Sequence, residues 1–486
     1  MKSCDALLKR VQDNDSNLTS VVILPMKNFG ASEVEKLAQI LASGVNTNLK
    51  AISASGHKVP PEALTMLGKA LATTGGQFIK EVSIGDESMG DEGVVALLQP
   101  LQDASCQLEH VDFGFKSLSS SGTAIIGQVL GPSGMKKLEI YRNPNIGNDG
   151  ILALVSNAKN AVETHENTQQ FIFSSLKFLD ISECTVGSKG MEALTNHLLS
   201  SEEATTQRPK AMELIASLNP LSPESGPMLG KLIATNALCK LSVKKCQLGD
   251  DGILSLMETA SSSSSVVLSF LDLSQNGLTT LGARGMANIL KTQQQEFPFL
   301  TELNLSGNGE IGPEGAVELA KALSDDEKDN HSSSATIRTL DMGSTTCGIE
   351  GATALLQHCS SLKSLRLFDN NLQCEGLRNI ALHLQGGHST LEHLDLGGNR
   401  AKAPAVAILL RSVLKENPDP NFPSVLNTLE LGGNQGSDEV EEILVEMSKS
   451  RPEIDVARDK PKAPQNQQQQ QDGNLFQNPN TSWVQN

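Results

Sequence analysis

One spacing of apolar residues, closed by a small polar residue, recurs along almost the whole chain and constrains its fold more than any other feature. It is clearest in LTELNLSGN, where Leu300, Leu303 and Leu305 are followed by Asn308. The same pattern recurs in LSFLDLSQN (268–276), LKSLRLFDN (362–370), LEHLDLGGN (391–399) and LNTLELGGN (426–434). Such recurrence in phase indicates a repeat protein in which each unit stacks on its neighbours.

Each copy predicts a short strand, because apolar residues alternate with polar ones at the two-residue period of a β-strand. We count fourteen strands, whose first residues are Leu18, Leu49, Ile79, Leu108, Met135, Leu176, Ala211, Leu238, Leu268, Leu300, Ile337, Leu362, Leu391 and Leu426. Successive first residues lie 25 to 41 positions apart. The first four copies are degenerate, since Met26, His57, Glu87 and Lys116 stand where later copies have Asn, Cys or Thr.

The second half of each unit has the apolar period of a helix. In the tenth unit Ile311, Gly315, Leu319 and Leu323 recur every four residues and predict one buried face. An acidic residue such as Glu314 often precedes the Gly, where its charge suits the positive end of a helix dipole. The recurrent Gly indicates close approach of two backbone segments. Helices are wider than strands, so we predict a curved array with a parallel sheet inside and helices outside.

This unit, a strand followed by a helix with an I/L-G-x-x-G-x-x-x-L pattern, resembles the ribonuclease-inhibitor type of leucine-rich repeat. The Ran GTPase-activating protein and the repeat domains of NOD-like receptors share that type of repeat. The resemblance covers about residues 18–451. It implies an α/β solenoid, a curved leucine-rich-repeat horseshoe with parallel inner strands and outer helices. It implies less about function, because such arrays bind many different partners.

The array is predicted to span residues 18–454, with a different kind of segment at each end. Residues 1–17 predict a short amphipathic helix that covers the apolar end of the first repeat. The apolar side of this helix is formed by Ala6, Leu7, Leu8 and Val11. Residues 455–486 are rich in Gln, Asn and Pro, so we predict that this tail is disordered.

Two interpretations remain open for the segments that interrupt the repeat period, and two for the C-terminal tail. The interruptions occur at residues 160–175, 261–265 and 324–335. They are either tolerated surface insertions or flaps that contact a partner. In the tail, Phe476 and Trp483 leave open a docking motif within residues 474–484, against an inert segment.

Charge and cysteine usage exclude some classes of function. The formal net charge is −17, which argues against a nucleic-acid partner, because phosphate binding needs a basic stripe. The first residues lack an apolar run long enough for a signal peptide or a membrane span. The eight cysteines form no C-x-x-C pair, and Cys184 and Cys246 fall at the Asn position of their repeats. We therefore expect reduced thiols in a cytoplasmic protein, with the nucleus as the alternative location, and no membrane partner.

No pattern in the sequence predicts a catalytic, cofactor or metal site. There is no G-x-x-x-x-G-K-[ST] loop, which a complete NOD-like receptor would need for its ATPase, and no G-x-S-x-G elbow. His383, His388 and His393 lie close in sequence, but they straddle a predicted helix end, a loop and a strand. We therefore predict that the protein is not an enzyme and needs no cofactor.

The concave face is the remaining candidate surface, because the residues between the core leucines of each strand point into the hollow. The central position of successive strands reads Asp112, Glu139, Asp180, Ile215, Ser242, Asp272, Asn304, Asp341, Arg366, Asp395 and Glu430. Like charges stacked at strand spacing repel one another, unless a partner or counterions neutralise them. The row is therefore either solvated carboxylates or a surface for a basic protein.

Aromatic residues are scarce in this chain, and several of them fall on the same predicted face. They are Phe115, Tyr141, Phe178, Phe270 and Phe368, with Arg142 beside Tyr141. Aromatic and Arg side chains are the usual anchors of protein interfaces. The alternative interpretation is that they pack sideways against neighbouring strands.

Three functions fit this surface. The first is a monomeric, non-enzymatic scaffold that binds a protein, preferably basic, on its acidic concave face. The second is a Ran-type GTPase activator, although the chain has a Gln-rich tail in place of the acidic C-terminal segment of that family. The third is an inhibitor of a basic enzyme such as a ribonuclease, although the low Cys and Trp content departs from that family.

Overall fold

The structure is a computed structural model that describes residues 4–102, 104, 106–163, 173–199, 211–263, 266–292, 300–324, 337–385, 390–415 and 425–458. Most of each predicted insertion at residues 160–175 and 324–335, and the proposed tail motif at residues 474–484, lies outside the described residues.

Fifteen short strands form one parallel sheet in the described part of the chain, and they follow one another in sequence order. They are β1 (Ser20–Val22), β2 (Ala51–Ser55), β3 (Glu81–Gly85), β4 (His110–Asp112), β5 (Lys137–Glu139), β6 (Phe178–Asp180), β7 (Met212–Ile215), β8 (Leu238–Ser242), β9 (Phe270–Asp272), β10 (Glu302–Asn304), β11 (Thr339–Asp341), β12 (Ser364–Arg366), β13 (His393–Asp395), β14 (Thr428–Glu430) and β15 (Asp455–Ala457). All the neighbouring strands pair in parallel, so every connection runs from the C-terminal end of one strand back to the N-terminal end of the next.

A helix follows almost every strand and packs against the helices of the neighbouring units. The α-helices are α1 (Asp5–Gln12), α2 (Ala31–Ala42), α3 (Pro61–Leu71), α4 (Gly90–Leu98), α5 (Ser120–Leu130), α6 (Gly147–Glu163), α7 (Ser188–Leu199), α8 (Gly226–Ala234), α9 (Gly249–Ala260), α10 (Thr280–Thr292), α11 (Gly312–Ala322), α12 (Gly348–His358), α13 (Gln373–Gln385), α14 (Ala403–Lys415) and α15 (Asp438–Ser450). Short 3₁₀ helices lie at Gly76–Phe78, Gln99–Leu101 and Pro223–Ser225. None of the helices described combines the length and apolar character that crossing a bilayer requires.

The core lies between the sheet and the helices, and the leucine spacing explains its position. In β10 the middle residue, Leu303, is buried, whereas the flanking Glu302 and Asn304 face the hollow. From the helical side, Leu319 of α11 is also buried. Because each unit repeats this arrangement, the apolar layer is continuous along the array. The predicted α/β horseshoe is confirmed.

The sheet contains one more strand than the fourteen predicted. All fourteen predicted strands occur, and β15 lies at residues 455–457, which the sequence assigned to the tail. Val456 pairs in register with Leu429 of β14, and Ile454 just before it is buried. The array therefore continues past residue 454. This strand was missed because Glu453 and Arg458 stand where β14 has Leu426 and Leu431, and no Asn, Cys or Thr follows at the usual position.

After each strand from β5 to β14, a small polar side chain, in most units an asparagine, ties its unit to the neighbouring ones. The Nδ2 of Asn276 donates to the carbonyl oxygens of Leu273, in its own unit, and Val243, in the unit before, at 3.0 and 2.8 Å. Its Oδ1 accepts the N–H groups of Cys246 and Leu248 at 2.9 and 3.3 Å. These backbone groups lie beyond the strands and have no ladder partners, so the buried side chain satisfies them.

Two of the four degenerate positions in the early units are buried polar substitutes for that asparagine. His57 is buried and its Nε2 lies 3.2 Å from the carbonyl oxygen of Ile23 in the first unit. Lys116 is also buried, and its Nζ donates to Ser55 Oγ of the second unit at 2.8 Å. Burial lowers the pKa of Lys116. The remaining two positions, Met26 and Glu87, are exposed.

In three units the recurrent glycine makes room for an Asp or Asn side chain of the preceding unit. Asp250, at the start of α9, accepts hydrogen bonds from the N–H and Oγ1 of Thr279, at 2.8 and 2.6 Å, just before α10. A Cβ on Gly282 would lie 2.0 Å from Asp250 Oδ1. Asp91 and Asn148 make the same contact at the starts of α5 and α7. In these three units the Asp or Asn side chain therefore caps the next helix, in addition to lying at the start of its own.

Helix α1 lies against α2 at the first end of the array. Leu8 and Val11 are buried, together with Cys4, and Leu7 is half-buried. Ala6, predicted on the same side, is exposed, because the buried face runs through positions 4, 8 and 11. The capping role of this helix remains a prediction.

Candidate protein-binding face

The inner face of the sheet carries three rows of side chains, which we name by position. The central row contains the last residue of the short strands, the first row lies two residues before it, and the third row lies two residues after it. From β4 to β14 the central row is Asp112, Glu139, Asp180, Ile215, Ser242, Asp272, Asn304, Asp341, Arg366, Asp395 and Glu430, each in register with the next. The structure thus brings all the charged residues predicted for this position into one ladder.

The aspartates of the central row also have a local structural role. In Asp272, Asp341 and Asp395, Oδ1 accepts the backbone N–H two residues further on, at 2.8 to 2.9 Å. Asn304 accepts the same bond from Ser306, at 2.9 Å, without carrying a charge. This Asx turn ends the strand, so it accounts for the oxygen at this position but not for the negative charge.

Around β4 and β5 the chain neutralises Glu139 of the central row. Glu139 Oε2 lies 2.6 Å from His110 Nε2 and 3.1 Å from Lys137 Nζ. Burial acts to raise the pKa of Glu139, but these two neighbours more than offset it and the pKa is lowered. Lys137 Nζ also lies 4.7 Å from the ring centroid of Phe178, a cation–π contact.

Asp180, the next residue of the row, is in a less favourable position. Burial raises the pKa of its carboxyl group to about 6. In the ladder Asp180 lies between Glu139 and the uncharged Ile215, so neither neighbour in the central row supplies a cation. At neutral pH this carboxylate is ionised at a cost to the folded state.

Around β11–β14 the acidic residues are only partly neutralised. Arg366 NH1 lies 3.8 Å from Asp341 Oδ2, yet burial still raises the pKa of Asp341. Burial, with the nearby charge of Glu430, raises the pKa of Asp395 to about 6. His393 Nε2 lies 3.2 Å from Glu430 Oε1, but burial lowers the pKa of this imidazole and favours its neutral form.

The aromatic residues predicted on this face fall into different environments. Tyr141, in the third row, lies directly over Gly114, since a Cβ on that glycine would be 2.3 Å from the ring. Burial raises the pKa of Tyr141 to about 12. Phe115 and Arg142 lie in the turns after β4 and β5, at φ values of 56° and 55°, and Phe115 is 54% exposed.

Arg142 is paired within the chain, since its Nε lies 3.0 Å from Glu183 Oε1 in the next turn. Phe178 and Phe270 belong to the first row and are half-buried. Phe368 belongs to the third row and is 48% exposed. The structure therefore spreads the predicted aromatic residues over two rows and a turn, and does not gather them into one patch.

The cations and hydroxyl groups that hold the acidic row were not among the predicted site residues. Besides His110 and Lys137, the hydroxyl groups of Ser83 and Ser242 donate to Asp112 and Asp272, at 2.9 and 3.0 Å. The signal was present in the sequence, because these residues occupy the first or central position of neighbouring repeats. Pairing the repeats by position would have revealed them.

In the part of the chain that the structure describes, cysteines and histidines form no second candidate site. None of the eight cysteines forms a disulfide, and those at positions 184 and 246 donate to backbone carbonyls in the asparagine position, as predicted. Within the described ranges, no group of three His, Cys, Asp or Glu side chains is arranged to hold a metal ion. His388 lies outside the described residues.

Comparison with known proteins agrees with this architecture. Residues 174–194, 298–320 and 358–381 match the family described as Leucine Rich repeat. The mouse (Mus musculus) ribonuclease inhibitor is 24% identical over 387 residues, which cover 78% of this chain and 76% of that protein. The RAN GTPase-activating protein 2 of Arabidopsis thaliana is 28% identical over 144 residues, which cover 29% of this chain and 24% of that protein.

Among solved structures, the complex of Rad7 and Elc1 in yeast contains a chain that aligns with a TM-score of 0.48 at 14% identity, covering 93% of this chain and 86% of that one. The fold follows from the strand order and the repeated unit themselves. In sequence, the chain is similar to leucine-rich-repeat proteins that include a ribonuclease inhibitor and a RAN GTPase-activating protein.

Proposed function

We propose that this protein is a non-enzymatic scaffold that binds a basic protein on the central row of its concave face. The observation that carries the proposal is the incomplete neutralisation of that row, where Asp180 and Asp395 have pKa values raised to about 6. A cation from a partner would favour their ionised forms and relieve the repulsion within the ladder.

The array suits this task because its binding surface is built before the partner arrives. The central row is fixed by parallel pairing on both sides of each strand, and its aspartates are held by bonds to the backbone. Little side-chain freedom is lost on binding, so more of the contact energy is available as affinity.

The experiment neutralises three carboxylates without disturbing the turns. Asn304 shows that an amide oxygen can accept the same backbone hydrogen bond, so Asp272→Asn, Asp341→Asn and Asp395→Asn should fold normally. Wild type and triple variant are used to capture proteins from lysate. Each captured protein is then purified, and its affinity is measured at two salt concentrations.

The expected result is a basic partner whose affinity falls in the triple variant and falls with salt in the wild type. The matched control makes the same charge change on exposed residues of the outer helices, with Asp251→Asn, Glu314→Gln and Glu350→Gln. If the outer variant loses the partner and the inner variant keeps it, the concave face is not the binding surface.

Inhibition of a basic enzyme is the second candidate, because the mouse relative that covers most of this chain is a ribonuclease inhibitor. Equimolar protein should then block pancreatic ribonuclease A, and added salt should weaken the block. Ran activation is supported by a match over 29% of this chain. It predicts faster GTP hydrolysis by Ran at catalytic amounts of the protein.

We propose further that the protein acts as a monomer, and that it acts in the cytoplasm, where thiols stay reduced. Light scattering of the purified chain tests the first statement. Fractionation of cells that express a tagged chain tests the second, and a nuclear signal would favour the alternative location.

A further inference from the structure

The third row contains two large aromatic residues, Tyr141 and Phe368, and their surroundings differ in a way that separates packing from recognition. The ring of Tyr141 fills the space over Gly114 and is half-buried. The carboxylate beside it in the ladder, Glu139, is already neutralised by His110 and Lys137. Tyr141 is therefore a packing residue within the chain.

Phe368 stands over glycines but remains open. Cβ atoms on Gly397 and Gly398 would lie 3.0 and 3.1 Å from its ring, so these glycines form a floor beneath one side of the ring. Nearly half of the side chain, 48%, is exposed. A large apolar side chain held over bare backbone and left open is typical of an interface anchor.

Two carboxylates border this ring, one on each side of β12. A Cβ on Gly397 would lie 3.0 Å from Phe368 Cδ2 and 3.2 Å from Asp395 Oδ1, so the ring edge and that oxygen are close to each other. On the other side, a Cβ on Gly343 would lie 3.2 Å from Asp341 Oδ1 and 3.6 Å from Phe368 Cβ. Arg366 lies between the two aspartates in the central row and contacts Asp341 at 3.8 Å.

Among the described residues, Arg366 and Lys244 act to lower the pKa of Asp341, and Arg366 that of Asp395, but burial outweighs them. Arg366 is the one cationic member of a ladder segment that also contains Asp341, Asp395 and Glu430. The raised pKa values of Asp341 and Asp395 agree with that geometry. An exposed ring beside excess negative charge suits a side chain with an aliphatic stem and a cationic head.

We propose that Phe368, with Asp341 and Asp395, forms a seat for one Lys or Arg side chain of the partner. The stem of the incoming side chain lies against the ring and its cation lies near the carboxylates. This proposal rests on the proposed function. It adds the residue that anchors the partner, Phe368, and the type of partner side chain that binds there.

The test uses labelled ten-residue peptides, acetyl-(Gly-Arg)5-amide and acetyl-(Gly-Lys)5-amide, with acetyl-(Gly-Gln)5-amide as the uncharged probe. Fluorescence anisotropy measures their affinity for the full chain. Phe368→Leu keeps apolar bulk and removes the ring face, and Phe368→Ala removes both. The matched control is Leu382→Ala, which removes an apolar side chain that is 68% exposed on α13, on the outer side of the same unit.

The cationic peptides should bind and the glutamine peptide should not. Phe368→Leu should weaken binding about two- to five-fold, as expected for loss of a cation–π contact, and Phe368→Ala should weaken it further. Leu382→Ala should have no effect. Thermal melting of each variant checks folding, and a ring this exposed should be removable without loss of the native state.

Two other outcomes separate this proposal from the function it rests on. If the Asp272→Asn, Asp341→Asn, Asp395→Asn triple variant weakens the cationic peptides but Phe368→Leu does not, the acidic face binds cations and the seat is refuted. If the glutamine peptide binds as well as the cationic ones and neither set of variants matters, both proposals fail. A preference for arginine over lysine would identify the head group that the seat takes.

Discussion

Replacement of Asp395 by asparagine separates the cost of a buried charge from the hydrogen bond that the same side chain makes. Asp395 is 8% exposed, and burial raises its pKa from 3.8 to about 6. Asparagine keeps an oxygen for the N–H of Gly397, as Asn304 does for Ser306. The substitution therefore removes the charge and leaves the turn intact.

The effect on stability follows from proton linkage. Between pH 3.8 and about 6 the folded chain holds a proton on Asp395 that the unfolded chain has released, so stability falls as pH rises through this range. The full shift corresponds to about 3 kcal/mol. Structural relaxation and water near the central row reduce this energy. We therefore expect Asp395→Asn to raise the free energy of unfolding by about 1–3 kcal/mol at pH 7.5. Near pH 4 the gain should disappear.

Urea unfolding at pH 4.5, 6 and 7.5 measures both the gain and its pH dependence. Asp272→Asn is the matched control, because Asp272 has the same exposure of 8% and the same turn, but also accepts a hydrogen bond from Ser242 Oγ. Loss of that charge-assisted bond should make the control neutral or destabilising. The reasoning is refuted if Asp395→Asn is less stable than wild type at pH 7.5, or if its gain does not depend on pH.

Three further predictions concern the contacts between units. Asn276→Ala should cost about 2–4 kcal/mol of unfolding free energy in urea, because it leaves several buried backbone groups unsatisfied; a cost below 1 kcal/mol would contradict this. Gly282→Ala should destabilise the chain through the clash with Asp250, and combining it with Asp250→Ala should recover part of the loss in thermal melting. Cys184 and Cys246 are fully buried, with pKa values raised to about 12, so iodoacetamide at pH 8 should not alkylate them in the native chain, as mass spectrometry would show.

The fold could be predicted because the leucine spacing determines which residues are buried, which face the hollow and how the strands pair. When Leu303 occupies the core, Glu302 and Asn304 must face the hollow, and the same parity in every unit brings the central row into register. The asparagine contacts could be predicted as well, since the turn after each strand has backbone N–H and C=O groups that only a side chain can satisfy. Local pattern and global packing agree in this part of the chain.

Contacts between units could not be predicted from any single repeat. The pairing of Glu139 with His110 joins residues 29 positions apart, and the capping of Thr279 by Asp250 also spans 29 positions. Unit lengths vary from 25 to 41 residues, so sequence distance alone does not show which side chains meet. Register must first be assigned. The exposure of Phe368 and the packing of Tyr141 depend in addition on which way each ring leans.

The concave face therefore divides into two parts with different physical roles. Around β5 the charges are balanced within the chain, and Glu139 strengthens the array because its neighbours favour its ionised form. Around β11–β13 the charges are not balanced, and Asp395 weakens the array at neutral pH. Asparagine would form the same turn at less cost, so the turn alone does not explain the aspartate. The proposed cationic partner would explain the aspartate, since binding would convert an unfavourable charge of the fold into a contact.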